Sequence, residues 1–219
     1  MTNSDKHLYI LDTTQLDNIK VFNYWYSRMP EYRRKKIDSF RFLKDKKLSL
    51  GAGILLHQGF NRAGITSPKI VYNDNKKPFL DGEPNIHFNL SHSGQIAVCA
   101  FSDSQVGVDA EITQHFENDL LKHIYSKDEI DFVNSHSSDN DNLYTLLWTV
   151  KESVMKYLGT GLSLSPDKIK VDLNNPIKVV CDEYSVDNLF FSDYSIKGYS
   201  IIVCSDYKHF TNELEWVQI

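Results

Sequence analysis

Val106-Gly107-Val108-Asp109-Ala110-Glu111-Ile112 alternates as a β-strand does, yet it carries two carboxylates. Successive side chains of a strand point to opposite faces. Val106, Val108, Ala110 and Ile112 therefore make an apolar face, and Gly107, Asp109 and Glu111 make the other. Asp, and to a lesser degree Glu, is disfavoured in strands. Two acids at i and i+2 lie roughly 7 Å apart along the backbone, close enough for their oxygens to converge on one hard cation. The other reading is a half-exposed strand with a polar outer face. The stretch alone leaves both open.

Upstream, Ile86-His87-Phe88-Asn89-Leu90 reads as a strand entering a turn at Ser91-His92-Ser93-Gly94, and Ile96–Phe101 as the returning strand. Together they predict a hairpin over 86–101. Short strands are expected at Leu8–Leu11 and Ile70–Tyr72, the latter followed by a polar turn, Asn73–Lys77, that exposes Lys76 and Lys77 before Pro78. Between Arg28 and Lys47, nine Lys or Arg face three acids, and the segment runs into a helix marked by Leu43, Leu50, Ile54 and Leu55. Such a run is either a solvated helix face or, since charges of one sign are concentrated in an acidic chain, a surface for an anionic partner.

Downstream, Ser126-Lys127-Asp128-Glu129 has the pattern of a capping box, and residues 134–142 form a polar loop. Leu143–Leu158 is the strongest helix, with Leu143, Leu147, Val150, Val154 and Leu158 on one stripe and Gly159 and Gly161 as stop signals. Strands follow at Asp167–Leu173, Ile177–Val180, Tyr194–Ile196 and Tyr199–Cys204. The opposite face of the long helix carries Thr145, Trp148, Thr149, Glu152 and Lys156. Glu152 and Lys156 at i and i+4 suit an exposed ion pair, but a neighbouring Trp argues that this face is covered. Glu152 beside Asp109 and Glu111 would make a three-carboxylate oxygen site suited to Mg²⁺, with Lys156 placed for phosphate oxygens or a leaving group. His92, at the end of its strand, could hold an anion as a donor.

Composition narrows the classes. The chain has 219 residues, 41% hydrophobic, enough for one large domain or two smaller ones. A net charge of −5 does not favour bulk nucleic-acid binding. No apolar run reaches the roughly 20 residues of a membrane span, and Met1–Lys6 lacks the apolar segment of a signal peptide. Cys99, Cys181 and Cys204 lie in or beside strand-like runs and read as reduced packing thiols of a cytoplasmic protein. There is no P-loop, no G-x-G-x-x-G after a strand, no nucleophile elbow and no Cys–His metal spacing.

The ordered series FNLSHSG, VGVDAE and WTVKESVMKYLGTGLSL resembles the Sfp-type 4′-phosphopantetheinyl transferases, over roughly residues 30–170. The resemblance implies an α+β fold of two similar halves in a pseudo-two-fold arrangement. An N-terminal half, 1–105, would carry the basic helix and coenzyme A contacts, and a C-terminal half, 106–219, the metal site and catalytic helix. It implies transfer of the phosphopantetheine arm of coenzyme A to a serine of an apo acyl or peptidyl carrier protein, with Mg²⁺, releasing 3′,5′-ADP. The length is that of the fused, monomeric type. Asp109, Glu111 and Glu152 match the metal-binding acids, Glu152 also the proposed general base, and Lys156 the lysine at the leaving oxygen. Ser91 and His92 match residues that hold the 3′-phosphate. Lys77, Lys35 and Lys47 match basic positions of the coenzyme site. Leu48 and Tyr32 depart from the pattern there, and Glu129 matches an acid sometimes near the metal's water, although its capping role explains it as well. The alternatives are a non-catalytic coenzyme A or carrier-binding relative and another Mg²⁺-dependent enzyme that cleaves a pyrophosphate.

Overall fold

A computed structural model of the chain describes residues 6–136 and 140–219. Residues 1–5, most of the N-terminal stretch read for a signal peptide, lie outside the described residues, as do 137–139 of the polar loop. The strands and helices run β1 (His7–Asp12), α1 (Ile19–Arg28), α2 (Glu31–Asp38), α3 (Leu43–Arg62), β2 (Ile70–Tyr72), β3 (Pro78–Leu80), β4 (His87–Ser93), β5 (Ile96–Ser102), β6 (Val106–Ile112), α4 (Asn118–Ile124), α5 (Lys127–His136), α6 (Asn140–Leu158), β7 (Ile169–Asp172), β8 (Lys178–Cys181), β9 (Phe190–Asp193), β10 (Tyr199–Ser205) and β11 (Leu214–Trp216).

One unit occurs twice in this α+β chain. A strand leads to a long helix, a small hairpin and a second antiparallel pair: β1, α3, β2–β3, β4–β5, and then β6, α6, β7–β8, β9–β10. The pairing repeats as well. The sheet orders are β11-β1-β5-β4 and β6-β10-β9, so the first strand of each unit lies beside its last. Strand β11 leaves the second unit and joins the first sheet, parallel to β1, with Leu8 opposite Leu214 and Ile10 opposite Trp216.

Alternation in the strands builds the layers. Tyr9 and Leu11 of β1, with Ala97, Cys99 and Phe101 of β5, cover Leu50, Ile54 and Leu55 of α3. The intervening residues, Leu8, Ile10, Val98 and Ala100, meet Val106, Val108, Ala110, Ile201 and Val203 of the second sheet. The far face of that sheet, with Ile202 and Cys204, packs on Leu147, Val150 and Val154 of α6. The order is helix, sheet, sheet, helix.

Several expectations are corrected. Ser91-His92-Ser93 belongs to β4, and the turn begins only at Gly94, whose φ of +58 suits glycine. The strand expected at Tyr194–Ile196 lies earlier, at Phe190–Asp193, because Ile196 and Tyr199 exchange backbone hydrogen bonds across a tight turn. Ile112 ends β6 exposed instead of facing the core. The polar loop is shorter than expected, since α5 runs to His136 and α6 begins at Asn140. Ser126 and Glu129 do form the reciprocal capping box, at 2.7 and 3.3 Å. The three cysteines are buried and unbonded. Among the described residues no helix is long and apolar enough to cross a membrane.

Candidate active site

The site forms where α6 crosses β6. A Cβ on Gly107 would lie 2.1 Å from the Ser153 carbonyl oxygen and 2.4 Å from the Tyr157 nitrogen. The glycine therefore lets helix backbone rest on strand backbone. Trp148, Glu152 and Lys156, spaced by four residues, share one side of α6 and come down over Asp109 and Glu111. Lys156 Nζ donates to Asp109 Oδ1 at 2.5 Å and to Ser91 Oγ at 2.8 Å, and Ser91 Oγ donates to the same carboxylate oxygen at 2.8 Å. Glu111 accepts from Ser93 Oγ at 2.8 Å on Oε2 and from the Trp148 indole at 3.4 Å on Oε1.

Strands β4 and β6 adjoin without sharing a ladder. Side chains of β4 take its place. Asn89 Oδ1 accepts the Val108 N–H at 2.8 Å and Ser93 Oγ accepts the Ile112 N–H at 3.1 Å. Asn89, Ser91 and Ser93 are alternate residues on one face of β4, matched in period to Asp109 and Glu111 on β6. The F-N-x-S-H-S pattern is thus the seam between the two units.

Glu152 and Glu111 are raised by burial first and by neighbouring acids second. Burial pushes the Glu152 carboxyl up to about 7; Lys156 opposes the rise, and Asp109 and Glu111 add to it. Glu111 is raised by burial and then by Asp109. Asp109 is 1% exposed, and its Oδ2 has no hydrogen-bond partner. Among the described residues no three His, Cys, Asp or Glu side chains are arranged as a finished metal site. Nevertheless three carboxylates facing a single ammonium, one of them with a buried orphan oxygen, form an all-oxygen donor set short of positive charge. That chemistry fits a hard divalent cation.

The same cleft, about 360 Å³, also has a cationic lining of Arg33, Lys36 and Lys76. Arg33 is 6% exposed, donates Nη2 to the Ser49 carbonyl at 2.5 Å, and has no partner at Nε. Ser49 Oγ is likewise buried and unpartnered. Burial lowers the pKa of Arg33, and burial followed by Arg33 lowers that of Lys36. His92 lines the cleft, its imidazole pKa lowered chiefly by withdrawal from water and further by Lys156, Lys36 and Arg33. A buried guanidinium with no ionic partner is costly, so this wall is built for anions.

Of the residues expected from the sequence, Asp109, Glu111, Glu152, Lys156, Ser91 and His92 share this cleft. Lys35, Lys47 and Lys77 do not line it. Lys35 lies on the outer side of α2, paired with Glu31 at 2.7 Å; the next residue, Lys36, turns inward. Lys47 pairs with Asp17. Lys77, expected to be exposed, donates Nζ to the Tyr157 and Val106 carbonyls at 2.8 and 3.3 Å, and burial lowers it to about 8. Glu129 is buried against Lys151 at 3.0 Å and accepts the Val171 N–H at 2.8 Å, a structural role. Sequence reading missed Arg33, Lys36, Asn89 and Ser93. Their signals were an i, i+3 pair inside the basic run and the period-2 continuation of Ser91.

Comparison with known proteins places these features. Residues 105–204 match the model of the 4′-phosphopantetheinyl transferase superfamily, and residues 18–104 that of the 4′-phosphopantetheinyl transferase N-terminal region. The chain is 31% identical over 195 residues to the 4′-phosphopantetheinyl transferase ffp of Bacillus subtilis, covering 84% of this chain and 85% of that one. It is 31% identical over 144 residues to the 4′-phosphopantetheinyl transferase Sfp of Bacillus subtilis strain 168, a match spanning 64% of each chain. A solved holo-acyl-carrier-protein synthase from Thermotoga maritima aligns with a TM-score of 0.39 and 16% identity, over 46% of this chain and 61% of that one.

Proposed function

The chain belongs to the 4′-phosphopantetheinyl transferase superfamily and is a phosphopantetheinyl transferase, and we propose that it takes the arm from coenzyme A, delivers it to a serine of an apo acyl or peptidyl carrier protein, works with Mg²⁺ and releases 3′,5′-ADP. The observation that carries this reading is one cleft lined both by Asp109, Glu111, Glu152 and Lys156 and by Arg33, Lys36 and Lys76. The cationic wall and His92 hold the phosphates of the nucleotide.

The carrier's serine oxygen attacks the phosphorus that bears the pantetheine arm. The bond from that phosphorus to the oxygen bridging the pyrophosphate breaks, and 3′,5′-ADP leaves. Glu152 takes the serine proton, an act of general-base catalysis worth typically ~10²–10⁴-fold. The Lys156 ammonium neutralises the leaving oxygen and donates a proton to it. A Mg²⁺ ion held by Asp109, Glu111 and Glu152 would supply charge neutralisation at the pyrophosphate. A cytoplasmic monomer fits this reading, because both walls come from one chain and the cysteines are free thiols.

Purified apo carriers of the fatty-acid, polyketide and peptide-synthetase kinds, mixed with coenzyme A, Mg²⁺ and this protein, should each be weighed by mass spectrometry. Gain of one phosphopantetheine on at least one carrier is expected. No gain on any of them, with the protein folded, overturns the reading. Coenzyme A binding without turnover would favour a non-catalytic relative, and 3′,5′-ADP release without a carrier would favour a pyrophosphate-cleaving enzyme.

A further inference from the structure

Glu111 is the only one of the three acids held at both carboxylate oxygens, and the groups that hold it face it from two different elements. Ser93 on β4 and Trp148 on α6 each donate to a separate oxygen. The Ser93 hydroxyl is not a free rotor, because its oxygen already accepts the Ile112 N–H at 3.1 Å. With that lone pair taken, its proton points to Glu111 Oε2. An ionised carboxylate offers about four lone-pair positions, so two remain open after both donors are satisfied. Ser91 makes the corresponding contact to Asp109, but there the Lys156 ammonium shares the same oxygen and Oδ2 is left bare. The long Glu side chain has more rotamers to lose than Asp, and it is the one given two anchors.

We propose that Ser93 is a positioning residue for the transfer reaction, its hydroxyl fixed by the Ile112 N–H so that it, together with the Trp148 indole, sets the Glu111 carboxylate to receive a divalent cation. Ser93 is not among the residues that line the cleft, so it acts through Glu111 and not on the coenzyme. The inference rests on the metal-dependent reading of the site.

Three variants, Ser93→Ala, Ser93→Thr and Trp148→Phe, would be compared with the unaltered protein. Binding of Mn²⁺ to the protein alone would be read by electron paramagnetic resonance, and the Mg²⁺ half-saturation and the coenzyme A KM by transfer kinetics. Loss of a group that orients a metal ligand weakens affinity by about 10–100-fold. Ser93→Ala is expected to weaken Mn²⁺ binding about tenfold and to raise the Mg²⁺ half-saturation in step, with the coenzyme A KM within about twofold of its starting value. Ser93→Thr, which keeps the hydroxyl, should restore cation affinity, and Trp148→Phe should weaken it in the same direction. Should Ser93→Ala fail to fold, the threonine and phenylalanine variants carry the comparison. Unchanged Mn²⁺ affinity in Ser93→Ala, or in Trp148→Phe where it stands in, overturns the inference, as does a coenzyme A KM that rises as much as the cation requirement. If the unaltered protein binds no Mn²⁺ yet transfers the arm without divalent ions, the metal reading itself falls, a result distinct from the failure of Ser93's role alone.

Discussion

Replacing Glu152 by Gln should make the metal-free protein more stable while ending its activity. Glutamine copies the shape of the protonated acid and cannot ionise. The carboxyl sits at about 7 in the folded protein against an ordinary 4.5, chiefly because it is buried. At about 1.36 kcal/mol per pH unit, forcing it to ionise within the fold costs about 3 kcal/mol. Solvent reaches the half-buried side chain and screens the charge, which brings the expected gain to about 2 kcal/mol. For a chain of this length that is about 4–8 °C in Tm. The sign sets the pH window. A raised acid leaves the native state undisturbed below its unfolded value near 4.5, and the destabilisation grows as pH climbs to about 7. Thermal melts of both proteins in a chelating buffer should therefore differ fully at pH 8 and only slightly at pH 5. Transfer to an apo carrier should vanish in the variant at both. Equal melting at pH 8, or a gap that survives at pH 5, would refute the argument that burial is what raises Glu152.

Arg33→Met removes a buried guanidinium that has no ionic partner. The free protein should gain about 1–2 kcal/mol in urea unfolding, while the coenzyme A KM rises at least tenfold; stability loss with an unchanged KM would show that Arg33 is structural. Gly107→Ala places a methyl group 2.1 Å from the Ser153 carbonyl oxygen. Overpacking of this kind costs about 1–3 kcal/mol or more, so a drop in Tm with loss of transfer is expected, and a variant that melts and turns over normally would contradict the close approach of α6 and β6.

Period-2 and period-3.6 patterns carried much of this architecture in plain view. The β6 alternation, the α6 stripe and the capping box at Ser126 are local signals, and the first two fix elements that bear site residues. The four side chains at the acidic wall were legible for the same reason, since Asp109 and Glu111 lie on one strand face and Glu152 and Lys156 on one helix face. What stayed hidden depends on contacts between elements. Whether Lys35 or Lys36 turns inward is decided by how α2 rests on α3, which a run of like charges does not reveal. Lys77 looked like a turn lysine but is held by two carbonyls that only the fold brings near. Nothing local in the sequence tells that the space beside Gly107 is filled by helix backbone. The seam role of Asn89 and Ser93 needs β6 alongside β4, nineteen residues on in the chain. Strand β11 gives almost no local signal, because its three residues are ordered by β1.

That pairing of β1 with β11 has a consequence for the order in which the protein can be made. A ribosome delivers Leu214–Trp216 about two hundred residues after His7–Asp12. Until then one edge of the first sheet presents unpaired backbone groups, the kind of edge that recruits strands from other chains. The interval between the first strand's emergence and its partner's arrival is a stretch of synthesis in which that edge is open to aggregation, and the arrival of Leu214–Trp216 closes it.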